Sequence, residues 1–336
     1  MSEIPNPDLD PDVKGYLKLP DLLPERINLE TPKWIKIPNS TVAQAAQAFL
    51  RQREKQQKII NLEYPPKQDG IFLLPRWRKY NLVKIGQRKG PENLTTRGGS
   101  AHGVVFCTAE VRTPLGQISE LNVALKPFQQ ARDATHEATM NALVLQRGFV
   151  STDPICVVMD NEKGYVITSL RTNAITLDQE PWHRIHLGDE VIVEFFNKRL
   201  RQIAELLAEY HAKGIHHSDT QLKNFWVVDT YDEEGRIEGI DWEAAHISKI
   251  IPPPTDELLK MGSDDLRVLF NSLNGNYTDS KFEVFLGSPN YKWQEFYRTV
   301  YYPYESHLMK LIPDSEDYLD SASQIVDNIK RELNIT

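Results

Sequence analysis

Between Glu194 and Asp241 a helical run, a short polar loop and a tight hairpin follow one another, and this succession constrains the fold more than any other stretch. From Glu194 to Lys213, apolar residues at Phe195, Phe196, Leu200, Ile203, Leu206, Leu207 and Tyr210 keep a helical period, and Gly214 stops the run as a C-terminal glycine does. The helix delivers the chain into His217-Ser218-Asp219-Thr220-Gln221-Leu222-Lys223-Asn224. Phe225-Trp226-Val227-Val228, the turn-rich Asp229 to Gly235, and Ile237 to Ile240 then read as a β-hairpin that ends at Asp241. The plainer reading is that His217 and Asp219 cap a turn and Asp241 closes an ordinary strand. It requires helix, loop, hairpin and acid to fall into register by chance.

The pattern His-x-Asp, four residues, Asn, and a second Asp after a hairpin resembles the catalytic loop and metal-binding strand end of protein-kinase-like phosphotransferases. Phosphoryl transfer gives a reason for these residue types. The transferred group is a dispersed anion that needs metal ions and a positioned hydroxyl, so the site requires a carboxylate facing the nucleophile, a neutral oxygen ligand and a second carboxylate on the metals. The resemblance implies ATP and Mg²⁺ as cofactors, Asp219 as the residue that orients or deprotonates a hydroxyl, and Asn224 and Asp241 as metal ligands. The fold it implies is α+β and bilobal: a five-stranded antiparallel amino-terminal sheet with one helix, then a mainly helical carboxy-terminal lobe.

Upstream, Val123-Ala124-Leu125-Lys126 resembles the third-strand Val-Ala-x-Lys of kinases, whose ammonium meets nucleotide phosphates. Eleven residues later Glu137 lies in a segment, Asp133 to Gln146, rich in Ala, Met and Leu and so expected to be helical. The resemblance pairs Glu137 with Lys126; Asp133, the other acid there, is a candidate helix cap. Gly98-Gly99-Ser100-Ala101-His102-Gly103-Val104-Val105 resembles a Gly-x-Gly-x-x-Gly-x-Val phosphate loop with Ser100 at the middle glycine. Gly98, Gly99, Ser100 and Gly103 are therefore candidate nucleotide contacts, and a flexible hairpin turn is the other reading. Val104 to Val111 and Gln117 to Lys126 follow as strands joined at Pro114-Leu115-Gly116. Ile155 to Met159 and Tyr165 to Leu170 form a further pair around Asn161-Glu162-Lys163-Gly164. The resemblance makes Arg171 to Asp178 a hinge, with backbone groups from Ser169 and Leu170 to Thr172 facing the adenine.

Several positions depart from ordinary protein kinases. Gln221 stands where those enzymes carry a lysine, two residues after the aspartate, and the metal-binding triplet is Asp241-Trp242-Glu243 rather than Asp-Phe-Gly. No Ala-Pro-Glu follows; Ile247 to Pro254 is apolar, proline-bearing and too short for a regulated activation loop. A helix expected over Ser263 to Leu273 carries Asp265 near its start; the resemblance implies that an Asp here braces the catalytic loop through backbone N–H groups, and the other reading is that Asp264 or Asp265 is a simple N-terminal cap. These features make the chain look like the atypical branch: lipopolysaccharide-type and RIO-type kinases and aminoglycoside or choline phosphotransferases. The recognisable motifs span about Thr95 to Leu273.

The 336 residues suffice for two compact units. The expected organisation is an extension over residues 1–70, an amino-terminal lobe over 71–170 and a carboxy-terminal lobe over 171–336. A net charge of −8 argues against general nucleic-acid affinity. Cys107 and Cys156 fall in expected strands as small apolar residues, which suits a reducing compartment, the cytoplasm. The proline-rich amino terminus has no apolar signal core, and no run is long enough to span a membrane. A helix is expected from Thr41 to Leu62 with Ala43, Ala46, Phe49 and Leu50 on its apolar face. Basic and aromatic residues alternate at Arg76-Trp77-Arg78-Lys79-Tyr80, followed by Lys84, Arg88 and Lys89, as a solvated surface or a grip on nucleic acid or a phosphorylated partner. Near the other end, Tyr291, Trp293, Phe296, Tyr297, Tyr301, Tyr302 and Tyr304 suit helix packing or an acceptor-binding wall.

Taken with the resemblance, these residues lead to the expectation of an ATP-dependent phosphotransferase with an alcohol acceptor. The amino-terminal arm favours a protein serine or threonine, whereas Gln221 and the missing activation segment favour a sugar or another small molecule. A nucleotide-binding pseudokinase scaffold is the reading from a different class.

Overall fold

The structure is a computed structural model, and it describes residues 41–53, 56–63, 66–87, 104–169, 174–179, 189–228, 235–274, 293–312 and 316–333. The fold is mixed α+β, and the chain divides into two compact units, Met1–Thr172 and Asn173–Thr336.

The first unit contains helix α1 (Thr41–Arg53), strands β1 (Lys58–Ile59), β2 (Gly70–Leu73), β3 (Asn81–Gln87), β4 (Val105–Arg112) and β5 (Ile118–Phe128), helix α2 (Ala131–Gln146), and strands β6 (Pro154–Asp160) and β7 (Lys163–Ser169). All seven strands join one sheet in the order β1-β2-β6-β7-β5-β4-β3. The expectation of five antiparallel strands is corrected: the sheet has seven, with β2 and β1 at one edge and the β1–β2 pair parallel. Sequence periodicity could not find β1 because it is only two exposed residues long and exists only by pairing with β2. The same pairing shortens the helix expected to reach Leu62. It ends at Arg53, and Gln57 fastens the following chain to β3 by donating to Leu82 O at 2.6 Å and accepting from Leu82 N at 3.0 Å.

Both sheet faces are apolar, and the two-residue strand period decides what each face meets. Leu121, Val123 and Leu125 of β5 enter one core with Ala46, Phe49 and Leu50 of α1. The helix assigned to a separate extension is therefore part of this unit's core. Phe128 of β5 and Val157 and Val166 of the neighbouring strands enter the other core, under Ala131, Ala134 and Ala138 of α2. Period two puts Lys126 on this second face. Gly164 lets α2 sit close, since a Cβ there would stand 2.5 Å from Ala134 Cβ and 2.9 Å from Ala131 Cα. Gly116, at φ +79, makes the left-handed residue of the β4–β5 turn. Arg76 and Trp77 are engaged internally, the guanidinium 3.0 Å from Asp153 and the indole N–H donating to the same carboxylate at 3.3 Å.

The second unit carries β8 (Ala174–Thr176), α3 (Asp189–Ala212), β9 (Ile215–His216), β10 (Phe225–Val228), β11 (Arg236–Gly239), β12 (His246–Ile247), α4 (Thr255–Leu273), a short α5 (Trp293–Phe296), a π-helical turn (Tyr297–Tyr301), α6 (Tyr302–Leu311) and α7 (Glu316–Leu333). The hairpin β10–β11 forms as expected, and β8 adds a third antiparallel strand, so part of the expected hinge is sheet. β9 pairs with β12. Helix α3 buries Phe196, Leu200, Ile203, Leu207 and Tyr210. Gly214, at φ +68, closes its end as expected. Helix α4 begins at Thr255 rather than Ser263, because the apolar period runs back through Met261 and Leu258, both buried. Of the aromatic residues near the carboxy terminus, Phe296, Tyr301 and Tyr304 are buried in packing, whereas Tyr297 and Tyr302 are exposed.

Both cysteines are free and buried, and burial pushes the Cys107 thiol up to about 12. Among the described residues no helix is long and apolar enough to cross a membrane. The close approach at Gly164 predicts that Gly164→Ala destabilises the protein by about 1–3 kcal/mol through overpacking against α2; denaturant unfolding with an unchanged midpoint would remove that contact from the core.

Candidate functional site

In the second unit the polar residues singled out from sequence meet at the base of the β10–β11 hairpin. Phe225 pairs with Gly239, and Ile240 N–H donates to Asn224 O at 2.9 Å, so Asn224 lies across from Ile240, next to Asp241 in the chain. The Asn224 amide nitrogen donates to Asp219 twice, to its backbone oxygen at 2.9 Å and its carboxylate Oδ2 at 2.8 Å. Two acceptors on one side fix which end of the amide is nitrogen. Asn224 Oδ1 is thereby left as the acceptor end. Gln221 Nε2 donates to the other Asp219 oxygen, Oδ1, at 2.7 Å. Each carboxylate oxygen of Asp219 therefore accepts one amide proton and keeps lone-pair capacity for another donor.

Asp241 has left-handed backbone at φ +62, and so does Ser218 at φ +65. Non-glycine residues rarely adopt this region, and it persists where surrounding structure holds it. Trp242 supplies that hold at Asp241. Its ring is fully buried, 4.5 Å from the His217 ring and 5.3 Å from that of Tyr210 by centroid. His217 Nε2 donates to Ile240 O at 3.0 Å, tying the loop to the residue before Asp241. Gly239 makes room, because a Cβ there would lie 2.8 Å from Tyr210 OH and 3.1 Å from the Trp242 ring.

The alternative of loop brace or helix cap resolves in favour of Asp265 as a brace. It lies within α4, well past the first turn, and is fully buried. Its Oδ1 accepts from Ser218 N–H at 2.8 Å, and its Oδ2 from His217 N–H at 3.1 Å and from His211 Nε2 at 2.9 Å. Thr220 Oγ1 donates to Asp265 O. Tyr304 OH stands 2.7 Å from the other His211 nitrogen. Burial by itself would raise the Asp265 carboxyl, but the His211 hydrogen bond and the imidazoles of His216, His211 and His217 hold it below its ordinary value.

In the first unit, Lys126 Nζ stands 3.6 Å from Glu137 Oε2, with both side chains largely buried. Lys126 also lies 5.0 Å from the centroid of the Phe128 ring. Asp133 does not cap α2; it sits in the first turn, and the cap position is Gln130 without a side-chain bond. Ser169 N–H donates to Asp153 O at 2.8 Å and Ser169 Oγ accepts from Asp153 N–H, so this N–H is already committed. Gly98, Gly99, Ser100, Gly103 and Leu170 lie outside the described residues.

No family model matches the sequence. No curated protein matches it either. Among solved structures, WaaP in complex with acyl carrier protein aligns over 66% of this chain and 85% of that chain, at 14% identity and a TM-score of 0.38. A likeness this slight decides nothing about chemistry.

Three participants were not among the site residues expected from sequence. Gln221 and Trp242 entered only as departures, and their roles depend on side-chain contacts across the loop. The third is Asn141: buried on α2, one turn after Glu137, it donates to the Glu137 carboxylate at 3.2 Å. A polar residue at i+4 from a glutamate was the available signal.

Among the described residues no group of three or more His, Cys, Asp or Glu converges to hold a metal. The Asn224 and Asp241 pair offers an amide oxygen and a carboxylate, a hard oxygen donor set of the kind Mg²⁺ takes alongside water and phosphate oxygens.

Two buried groups set an acid dependence of stability. Burial pushes His216 below its usual 6.5, with His211 and His246 adding to the effect and Asp265 and Asp264 opposing it. The unfolded chain then binds the proton first, so stability present above pH 6.5 falls as pH drops through the lower folded value. Asp265, also depressed, adds a loss that is complete only at lower pH. In thermal melts His216→Gln should flatten the upper part of this decline and reduce the lower part without removing it, since His211 still holds Asp265 down; a variant with the wild-type profile throughout would show that His216 does not titrate on unfolding.

Proposed function

We propose that the chain is an ATP- and Mg²⁺-dependent phosphotransferase acting on a hydroxyl acceptor. The observation that carries the reading is the Asp219–Asn224 hydrogen-bond pair, set beside a left-handed Asp241 at the base of one hairpin. An ordinary turn needs neither the paired amides on Asp219 nor a buried carboxylate beneath the loop. In the proposed reaction a bond forms between the acceptor oxygen and the γ-phosphorus as the bridging bond to the β-phosphate breaks. The acceptor proton passes to Asp219, and ADP leaves with the bonding electrons. Gln221 and Asn224 keep the Asp219 carboxylate in one orientation while leaving it lone pairs for the acceptor. Asn224 and Asp241 would hold Mg²⁺, which when bound supplies charge neutralisation at the phosphate oxygens. Lys126, oriented by Glu137, would bind nucleotide phosphate.

A protein serine or threonine acceptor drew its support from the amino-terminal arm, and helix α1 of that arm is committed to the sheet core. We therefore propose a hydroxyl acceptor without ranking a protein above a small molecule. The localisation expected from sequence, the cytoplasm, goes with this proposal.

Asp219→Asn keeps the side-chain shape but removes the proton acceptor, so transfer of label from ATP should fall about 10²–10⁴-fold, with ATP affinity by calorimetry close to wild type. Asp241→Ala should abolish Mg²⁺-dependent transfer while keeping a near-native melting temperature. Wild type that binds ATP and Mg²⁺ yet labels neither itself nor protein or metabolite fractions of an extract would favour the pseudokinase scaffold. An Asp219→Asn protein as fast as wild type would remove this loop from the chemistry.

A further inference from the structure

We infer that Asn141 is a positioning residue that sets the Glu137 carboxylate and, through it, the Lys126 ammonium. Asn141 is fully buried. Its amide nitrogen donates at 3.2 Å both to Glu137 Oε1 and to the Glu137 backbone oxygen one turn earlier. Its carbonyl oxygen accepts from Thr152 Oγ1 at 2.8 Å and from Ser151 Oγ at 3.2 Å. The orientation of the amide is therefore determined from both ends. Turning it over would place its oxygen against a carboxylate and a carbonyl, both acceptors.

The consequence lies in how Glu137 is divided. One carboxylate oxygen, Oε1, is held by Asn141, and the other, Oε2, is the one 3.6 Å from Lys126 Nζ. A glutamate has three rotatable bonds, and an ion pair at this separation does not by itself select one rotamer. The hydrogen bond from Asn141 does select one, because it pins Oε1 and so directs Oε2 at the lysine. Ser151 and Thr152 belong to the segment joining α2 to β6, so that segment indirectly positions the ion pair. Helix packing alone would be served equally well by an apolar residue at position 141. Four polar contacts on one buried side chain are what an orienting role requires.

The inference about geometry stands on these contacts; its bearing on nucleotide affinity rests on the proposed function. The test reads Lys126 directly. The full-length protein is treated with a limiting amount of acetic anhydride without nucleotide, and acetylation of Lys126 is quantified by mass spectrometry against other lysines as internal standards. Glu137→Gln, which removes the ion pair, sets the upper reference. Asn141→Leu should raise Lys126 labelling by about 2- to 10-fold, the lower part of the range for side chains coupled in one network, towards the Glu137→Gln level. Thr152→Val, a milder change of nearly equal volume, should move labelling in the same direction by less and keeps the test open if Asn141→Leu does not fold.

Labelling in Asn141→Leu equal to wild type, with Glu137→Gln clearly higher, would overturn the positioning role; so would wild-type labelling in both. If Asn141→Leu is unfolded, Thr152→Val decides: raised labelling supports the role, and wild-type labelling overturns it. ATP calorimetry on the same proteins separates the two levels. Raised labelling with weakened ATP binding supports both the role and its bearing on nucleotide. Raised labelling in proteins none of which, wild type included, binds ATP supports the role of Asn141 and counts against the proposed function alone.

Discussion

The buried carboxylate of Asp265 organises the second unit around the loop. A charge with no water around it persists only when its oxygens are filled by donors, and here the donors are two successive backbone N–H groups of the loop and one imidazole nitrogen. Satisfying Asp265 therefore fixes the backbone at His217 and Ser218, and Ser218 takes the left-handed conformation. That conformation sets the direction in which Asp219 leaves the loop. The dependence also runs the other way, since a displaced loop would leave the carboxylate buried and unfilled. Loop and helix α4 are thus held to one arrangement.

The hairpin end is secured by apolar means. Trp242 packs its ring against His217 and Tyr210, and Gly239 clears the space it needs. The triplet Asp241-Trp242-Glu243 lacks a terminal glycine, and a fully buried indole after the aspartate gives that residue a fixed base. Rigidity here comes from packing. At Asp219 it comes from two amides, one on each carboxylate oxygen. A lysine at position 221 would bring a positive charge to that oxygen; glutamine donates the same hydrogen bond without one.

The first unit solves a different problem: keeping a lysine and a glutamate paired under a helix with little water. The sheet presents one apolar face to α1 and the other to α2, and Lys126 rises from the second. The small residues Ala131, Ala134 and Gly164 bring α2 close to the strands. Closeness gives the ion pair its reach, and Asn141 gives it direction.

The sequence by itself determined the local order: the helix ending at Gly214, the polar loop, the hairpin to Asp241, and the strands β4 to β7 with α2 between them. Each follows from hydrophobic period and turn residues, which act over a few positions. The two-residue period also placed Lys126 and Val123 on opposite sheet faces, whatever those faces would meet. Tertiary structure decided what no local pattern encodes. It added β1 and β2 to the sheet edge, because a two-residue strand has no stability without its partner, and it drew α1 into the core for the apolar surface buried there. It made Asp265 a brace and not a helix cap, since α4 starts well before it, at Thr255, and its inward side meets the loop amides. It also selected Gln221 and Asn141 as partners of the two acidic side chains, because a hydrogen bond depends on distances of about 3 Å that folding alone sets.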